Sequence, residues 1–236
     1  MRFGKSDKIQ FISTVEGLES IEECLPRPAK HFIPKWFKDI PSTDPLSVKV
    51  CPSFPDYFSQ GYIIPMWSDV TLKNNDQGWQ WQTSINLFDW SVHENEQFIK
   101  YKNPSFLGVE GQFLFKANSP WKIITPPGWS VLQLPLFYHF NQQWSVLPGV
   151  IDTDIYHQIN QQVLYHGDGD EIVINCGDPF VLYIPFKRSD KLKHTSRYQN
   201  KKDEKLFNKE HLTFRKSFIP TGAYRKMQRK RDKELS

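Results

Sequence analysis

Between residues 48 and 188 the chain offers one short apolar run after another, most of them set off by residues that turn the backbone. VKVC (48–51), YIIPMWSDVTLK (62–73), the alternating WQWQTSINL (79–87), GQFLFKA (111–117), WKIITPP (121–127) and SVLQLPLFYHF (130–140) come first. QINQQVLYH (158–166), EIVINC (171–176) and FVLYIPFKR (180–188) complete the series. Asn118-Ser-Pro, Pro126-Pro-Gly, Pro148-Gly, Gly167-Asp-Gly and Cys176-Gly-Asp-Pro separate them. Runs this short, so punctuated, read as strands. They predict a mainly β body, a sandwich or barrel, and leave no room for βαβ units.

The flanks read differently. Residues 9–13 (IQFIS) predict a strand, and Leu18, Ile21 and Leu25 recur at helical spacing until Pro26 and Pro28 stop them. Prolines at 26, 28, 34, 41 and 45 then remove backbone donors, which suits a wrapping arm anchored by Trp36 and Phe37. From Lys187 onward apolar residues thin out and cations dominate. Residues 187–236 hold 17 Lys and Arg against 6 Asp and Glu, a balance of +11, whereas residues 1–186 stand at −7. The expected organisation is a strand, helix and proline-rich arm over 1–47, a β-rich core over 48–188, and a basic, partly helical extension over 189–236. In that extension TGAYRKMQRKRDKEL predicts a terminal helix after Pro220, and Leu206, Phe207, Leu212, Phe214, Phe218 and Ile219 predict a docking face.

Eight Trp, 9 Tyr and 18 Phe make the expected core aromatic, large enough to fold without staples. Three cysteines, Cys24, Cys51 and Cys176, lack paired or CxxC spacing, so buried, inert thiols are expected, with Cys51 and Cys176 as the reactive alternatives. No stretch approaches the roughly 18 apolar residues of a membrane span, and no leader pattern is visible; a reducing cytoplasm, a host cell's if the source is viral, is the expected setting.

The segment PGVIDTDIYHQINQQVLY…EIVINCGDPFVLYIPF (148–186) resembles the trimeric dUTPase and dCTP deaminase superfamily, which implies a β-clip-like body. By position, Asp152 matches the carboxylate that orients the attacking water, Asp154 the second acid, and Gly177–Asp178 the later Gly-Asp turn. Tyr156 sits one residue beyond the family's stacking Tyr, because Ile155 intervenes. The family's Pro-Arg-Ser-Ser phosphate motif is replaced by PPGWSVL, which offers Ser130 but no Arg, and its Gly-rich closing arm is absent. A second resemblance covers roughly residues 30–188. KHFIPKWFKDIP, VKVCPSFPDYFSQGYIIPMWSDV, WKIITPPGWS, PGVIDTDIY and YIPFKR are similar to a tailed-phage and bacterial family that carries no assigned activity. It implies a phage origin and names no reaction.

Other constellations are weaker. His166-Gly-Asp168 and His93-Glu94 with Glu96 lack the converging third ligand of a metal site, so no metal and no cofactor is expected. Arg225, Lys226, Arg229, Lys230 and Arg231 are cations suited to an acidic partner or to phosphates. The sequence therefore favours a phage-type interaction or assembly protein that binds a protein partner or its own copies through its arms, and no membrane. A nucleotide-binding enzyme using Asp152, Asp154, Ser130 and Tyr156, with Gly177 and Asp178, is the alternative. Nucleic-acid binding through the basic extension is the second.

Overall fold

The computed structural model describes residues 8–41, 44, 47–76, 78–84, 90–92, 113–166, 169–190, 192–215 and 220–235. By its internal contacts the chain divides into two compact units, residues 1–32 with 61–190, and residues 33–60 with 191–236.

The first unit is mainly β. Its strands are β1 (Gln10–Ser13), β2 (Arg27–Pro28), β3 (Tyr62–Pro65), β4 (Val70–Asn75), β5 (Gly78–Thr83), β6 (Trp90–Val92) and β7 (Phe113–Asn118). They continue with β8 (Trp121–Ile124), β9 (Trp129–Leu134), β10 (Trp144–Val146), β11 (Gly149–Ile151), β12 (Asn160–Tyr165), β13 (Glu171–Ile174) and β14 (Pro179–Lys187). Among the described residues they form four antiparallel sheets, in the orders β1-β8, β10-β12-β7-β6, β11-β9-β14-β3-β2 and β13-β4-β5. Alternation sets the faces: in β12, Gln161, Val163 and Tyr165 are buried while their neighbours are half-buried. Rings fill the centre, with Trp67 edge-on to Phe180 at 5.7 Å and Trp79 edge-on to Phe115 at 5.3 Å.

Gly61 shows how tightly the five-stranded sheet closes. Its φ is +68°, and a Cβ there would lie 2.2 Å from the Tyr183 carbonyl oxygen. Only glycine permits that turn and that approach together.

One expectation changes in this unit. Residues 18–25 form two 3₁₀ turns, Leu18–Ser20 and Glu22–Cys24, with Ile21 extended between them. Of the Leu18, Ile21 and Leu25 set at helical spacing, Leu18 is buried and Leu25 packs against the core, whereas Ile21 is exposed and Cys24 is buried in its stead.

The second unit is helical. It contains α1 (Lys35–Asp39), a 3₁₀ turn at Val48–Val50, α2 (Ser53–Phe58), α3 (Lys201–Arg215) and α4 (Pro220–Leu235). VKVC, expected as a strand, is that 3₁₀ turn, closed by Val50 and Cys51 amides donating to the Ser47 and Val48 carbonyls. The following CPSFPDYFSQG winds into α2, because Pro52 and Pro55 fall at its start, where no helical donor is required. Phe37 packs on Phe58 at 4.8 Å and stacks on Phe54, giving the proline-rich arm its own small core.

The terminal helix after Pro220 is present, and α3 is an addition. Its start is written in the chain. Asn200 Oδ1 accepts from the Lys202 and Asp203 amides, and Asp203 Oδ2 accepts from the Asn200 amide at 2.8 Å. This is a capping box with Asp in the usual Glu position. Arg197 also holds Asp203 with both terminal nitrogens, which brings that carboxyl down to about 2. Leu206, Phe207 and Leu212 are exposed on α3, whereas the Phe214 side chain, Phe218 and Ile219 lie outside the described residues.

Candidate functional site

Three chain segments meet at one end of β9. Residues 126–129 form a type II turn: the Trp129 amide donates to the Pro126 carbonyl at 3.1 Å, Pro127 takes the second position and Gly128 the third, at φ +85°. The turn delivers Ser130 into the first positions of β9. On one side β11 runs antiparallel, Ile151 opposite Val131. On the other lies the end of β14, with Phe186 opposite Ser130 and Lys187 opposite Trp129. Residues 152–156 and Arg188 are thereby carried to the same rim.

Their side chains form one closed network. Ser130 donates its hydroxyl to Asp152 Oδ1 at 2.6 Å and accepts from Arg188 Nη1 at 2.9 Å. Arg188 grips Asp154 with two parallel bonds, Nη1 to Oδ1 at 2.9 Å and Nη2 to Oδ2 at 2.6 Å. The same Nη1 lies 3.3 Å from Asp152 Oδ1 and donates to the Trp129 carbonyl at 3.0 Å. The Gly128 amide adds a donor to Asp154 Oδ2 at 2.7 Å. Behind them the buried Thr125 and Thr153 hydroxyls bond at 2.7 Å.

The two acids therefore differ. Asp154 has a side chain only 7% exposed and both oxygens held by cationic or amide donors. The Arg188 guanidinium keeps its carboxyl below the usual carboxylate range, with the Gly128 amide helping. Asp152 is 49% exposed and is held on one oxygen. A two-point Arg–carboxylate grip fixes orientation as well as charge. The donors that would meet an incoming anion here are already engaged by the protein's own carboxylates.

Of the residues expected to act together, Asp152, Asp154 and Ser130 do converge. Tyr156 closes the same turn through its amide, which donates to the Asp152 carbonyl at 2.9 Å, but its ring is exposed. Gly177 and Asp178 serve another turn. Asp178 Oδ2 accepts from the Asn175 amide at 2.9 Å, and Gly177, at φ +84°, donates to the Met66 carbonyl. Arg225 pairs with Asp56 and donates to Gln228, while Lys226, Arg229 and Lys230 are exposed on α4. The Arg231 side chain lies outside the described residues, as do His93, Glu94, Glu96 and Asp168.

The residue that the linear pattern left out is Arg188. It closes the YIPFKR run, and its reach to Ser130, 58 positions earlier, depends on the β9–β14 register.

Cavities open among the described residues of the first unit. One, of 390 Å³, is lined by Lys8, Ile9, Tyr62, Thr125, Pro126, Trp129 and Pro185. The Lys187 ammonium stands 5.4 Å from the centre of the Trp129 ring. Another, of 490 Å³, is bounded by Phe137, Phe140, Trp144 and Asp178 among others, with His139, whose pKa is lowered by burial. Among the described residues, no group of three or more His, Cys, Asp or Glu side chains is placed to hold a metal ion. No helix among them is long and apolar enough to cross a membrane.

No protein-family model matches the sequence, and no curated protein does. Among solved structures, the chain is similar to the dUTPase of Staphylococcus bacteriophage 80alpha at 10% identity and a TM-score of 0.39, over 83% of this chain and 100% of that one. It is similar to the dUTPase of phage phi11 of S. aureus at 11% identity and a TM-score of 0.36, over 82% and 99%. The EIAV dUTPase follows at 12% identity and a TM-score of 0.34, over 60% and 86%.

Proposed function

We propose that the chain, of phage type, works by binding an acidic protein face through its cationic helices and not by turning over a small molecule at the 128–154 rim. The observation that carries this reading is the engagement of Arg188. One guanidinium satisfies Asp154 on both oxygens and also contacts Ser130 and Asp152, so the acids expected to do chemistry act as ligands of an internal clamp. Meanwhile α4 exposes Lys226, Arg229 and Lys230 along its length. The +11 of residues 187–236 against the −7 of residues 1–186 makes another copy of this chain an electrostatically matched partner.

Sedimentation velocity of the full chain tests this. Concentration-dependent association at about 50 mM salt, weakened at about 500 mM and lost in a Lys226→Glu, Arg229→Glu, Lys230→Glu variant, is the expected result. A chain that stays monomeric at every concentration contradicts it. Tight binding of a duplex oligonucleotide with a steep salt slope, in place of self-association, transfers the reading to nucleic acid.

A second reading is a small-molecule or nucleotide-binding protein on the same scaffold. It is favoured by the 390 Å³ cavity beside the rim, where Tyr62 and Trp129 offer ring surfaces and Lys8 and Lys187 positive charge. A rise in melting temperature with nucleoside triphosphates, absent in Trp129→Ala, supports it; no rise with any of them removes it.

A further inference from the structure

Cys24 and Cys176 are 152 positions apart, yet their sulfurs lie 3.0 Å from each other. That is about 1 Å beyond the bond length of a disulfide. The residues beside them are close as well: a Cβ on Gly177 would lie 3.1 Å from Glu23 Cβ and 3.6 Å from the Glu23 carbonyl oxygen. The approach is fixed from both sides. Cys24 ends a 3₁₀ turn, is fully buried, and has its amide on the Ile21 carbonyl at 3.0 Å. Cys176 sits in the β13–β14 turn, with its amide on Asp69 Oδ1 at 2.8 Å. Gly177 and Asp178 donate to the Met66 and Asn175 carbonyls, which holds the turn in shape.

The thiols differ in access. Cys176 is exposed and Cys24 is not. Burial pushes the Cys24 thiol up to about 12, with the Cys176 thiol adding to the rise. An exposed sulfur with a second, buried sulfur 3.0 Å away is the arrangement of an attacking thiol with its resolving partner.

We propose that Cys24 and Cys176 are a reversible oxidation site, closed by low-molecular-weight disulfides of the glutathione type. Cys176 loses its proton to solvent, and its thiolate attacks one sulfur of the oxidant, forms a mixed disulfide and expels the first small thiolate, which takes up a proton from solvent. Cys24 then gives up its proton, attacks the Cys176 sulfur and displaces the second small thiol. Two protein thiols are oxidised by two electrons, and one small disulfide is reduced to two thiols. The bond ties the 3₁₀ turn at Glu22–Cys24 to the β13–β14 turn. It does not involve the Arg188 rim or the cationic helices, so it stands apart from the function proposed above.

The full chain carrying Cys51→Ser, which removes the third thiol, is equilibrated in glutathione buffers from fully reduced to fully oxidised, quenched with acid, then alkylated in denaturant so that the buried Cys24 is reached. Intact mass is expected to pass from two alkyl groups to none with loss of two hydrogens. A non-reducing peptide map is expected to join residues 24 and 176. The melting temperature should rise by about 5–15 °C on oxidation. Adding Cys24→Ala should leave a stable glutathione adduct on Cys176. Adding Cys176→Ser leaves Cys24 without adduct in the folded chain. Two alkylatable thiols at every buffer ratio, or a glutathione adduct that persists with both cysteines present, would overturn the proposal.

Discussion

Arg188, the residue that follows the last strand, closes both terminal nitrogens of its guanidinium on Asp154, 34 positions earlier in the chain. The pair fastens the end of β14 to the turn after β11 across the strand between them, and Ser130 on that strand bridges to Asp152. Replacing Asp154 with Ala leaves a guanidinium and the Gly128 amide without their acceptor, so urea unfolding should show a loss of about 2 kcal/mol. Arg188→Lys should also lower the midpoint, because an ammonium cannot make two parallel bonds to one carboxylate. Midpoints equal to wild type would show that the clamp holds nothing.

Acid should act through the same pair. Asp154 has a lower pKa folded than unfolded, so its contribution is complete above the unfolded value of about 4 and disappears as pH falls through the folded value. Melting temperatures of wild type and Asp154→Asn between about pH 2 and 7 should differ most near neutrality and converge in acid. Parallel curves would contradict this.

Gly61 tests the packing of the five-stranded sheet. Gly61→Ala places a methyl 2.2 Å from the Tyr183 carbonyl and forces an alanine into a left-handed turn. A loss of at least about 2–3 kcal/mol in chemical denaturation is expected, against the gain that glycine-to-alanine changes give at ordinary sites.

Asn200 tests the helix start. Asn200→Ala removes the acceptor for the Lys202 and Asp203 amides, and should destabilise α3 by about 1 kcal/mol. Hydrogen exchange should accelerate in the first turn of α3 and stay unchanged in β9 and β14.

Much of this architecture is legible in the chain because short-range rules govern it. Alternation in NQQVLY and EIVI set faces that the structure keeps, and Pro-Pro-Gly fixed the type II turn before Ser130. Misreadings came where two rules compete over few residues. Val48 and Val50 alternate like a strand, but the hydrogen bonds from Val50 to Ser47 and from Cys51 to Val48 close a local turn. The Asn200-x-x-Asp203 box is local and so carries the start of α3 in four residues, although the charges around it mark no apolar stripe. At the rim, Asp152, Asp154 and Ser130 were found by position in a motif. Arg188 was not, because its role exists only once β9 and β14 pair in register. The Cys24–Cys176 approach is of the same kind, invisible as spacing and set by the packing of two turns.

Turnover distinguishes a clamp from a reaction centre at the Asp152–Ser130–Arg188–Asp154 network. Phosphate and pyrophosphate release from a panel of nucleoside and deoxynucleoside triphosphates, with divalent metal, should be measured for wild type and Asp152→Asn side by side. Both proteins at the rate of the blank, with unchanged association through α4, is the predicted result. Release by wild type that disappears in Asp152→Asn would show that the exposed carboxylate works on substrate, and would contradict the binding account.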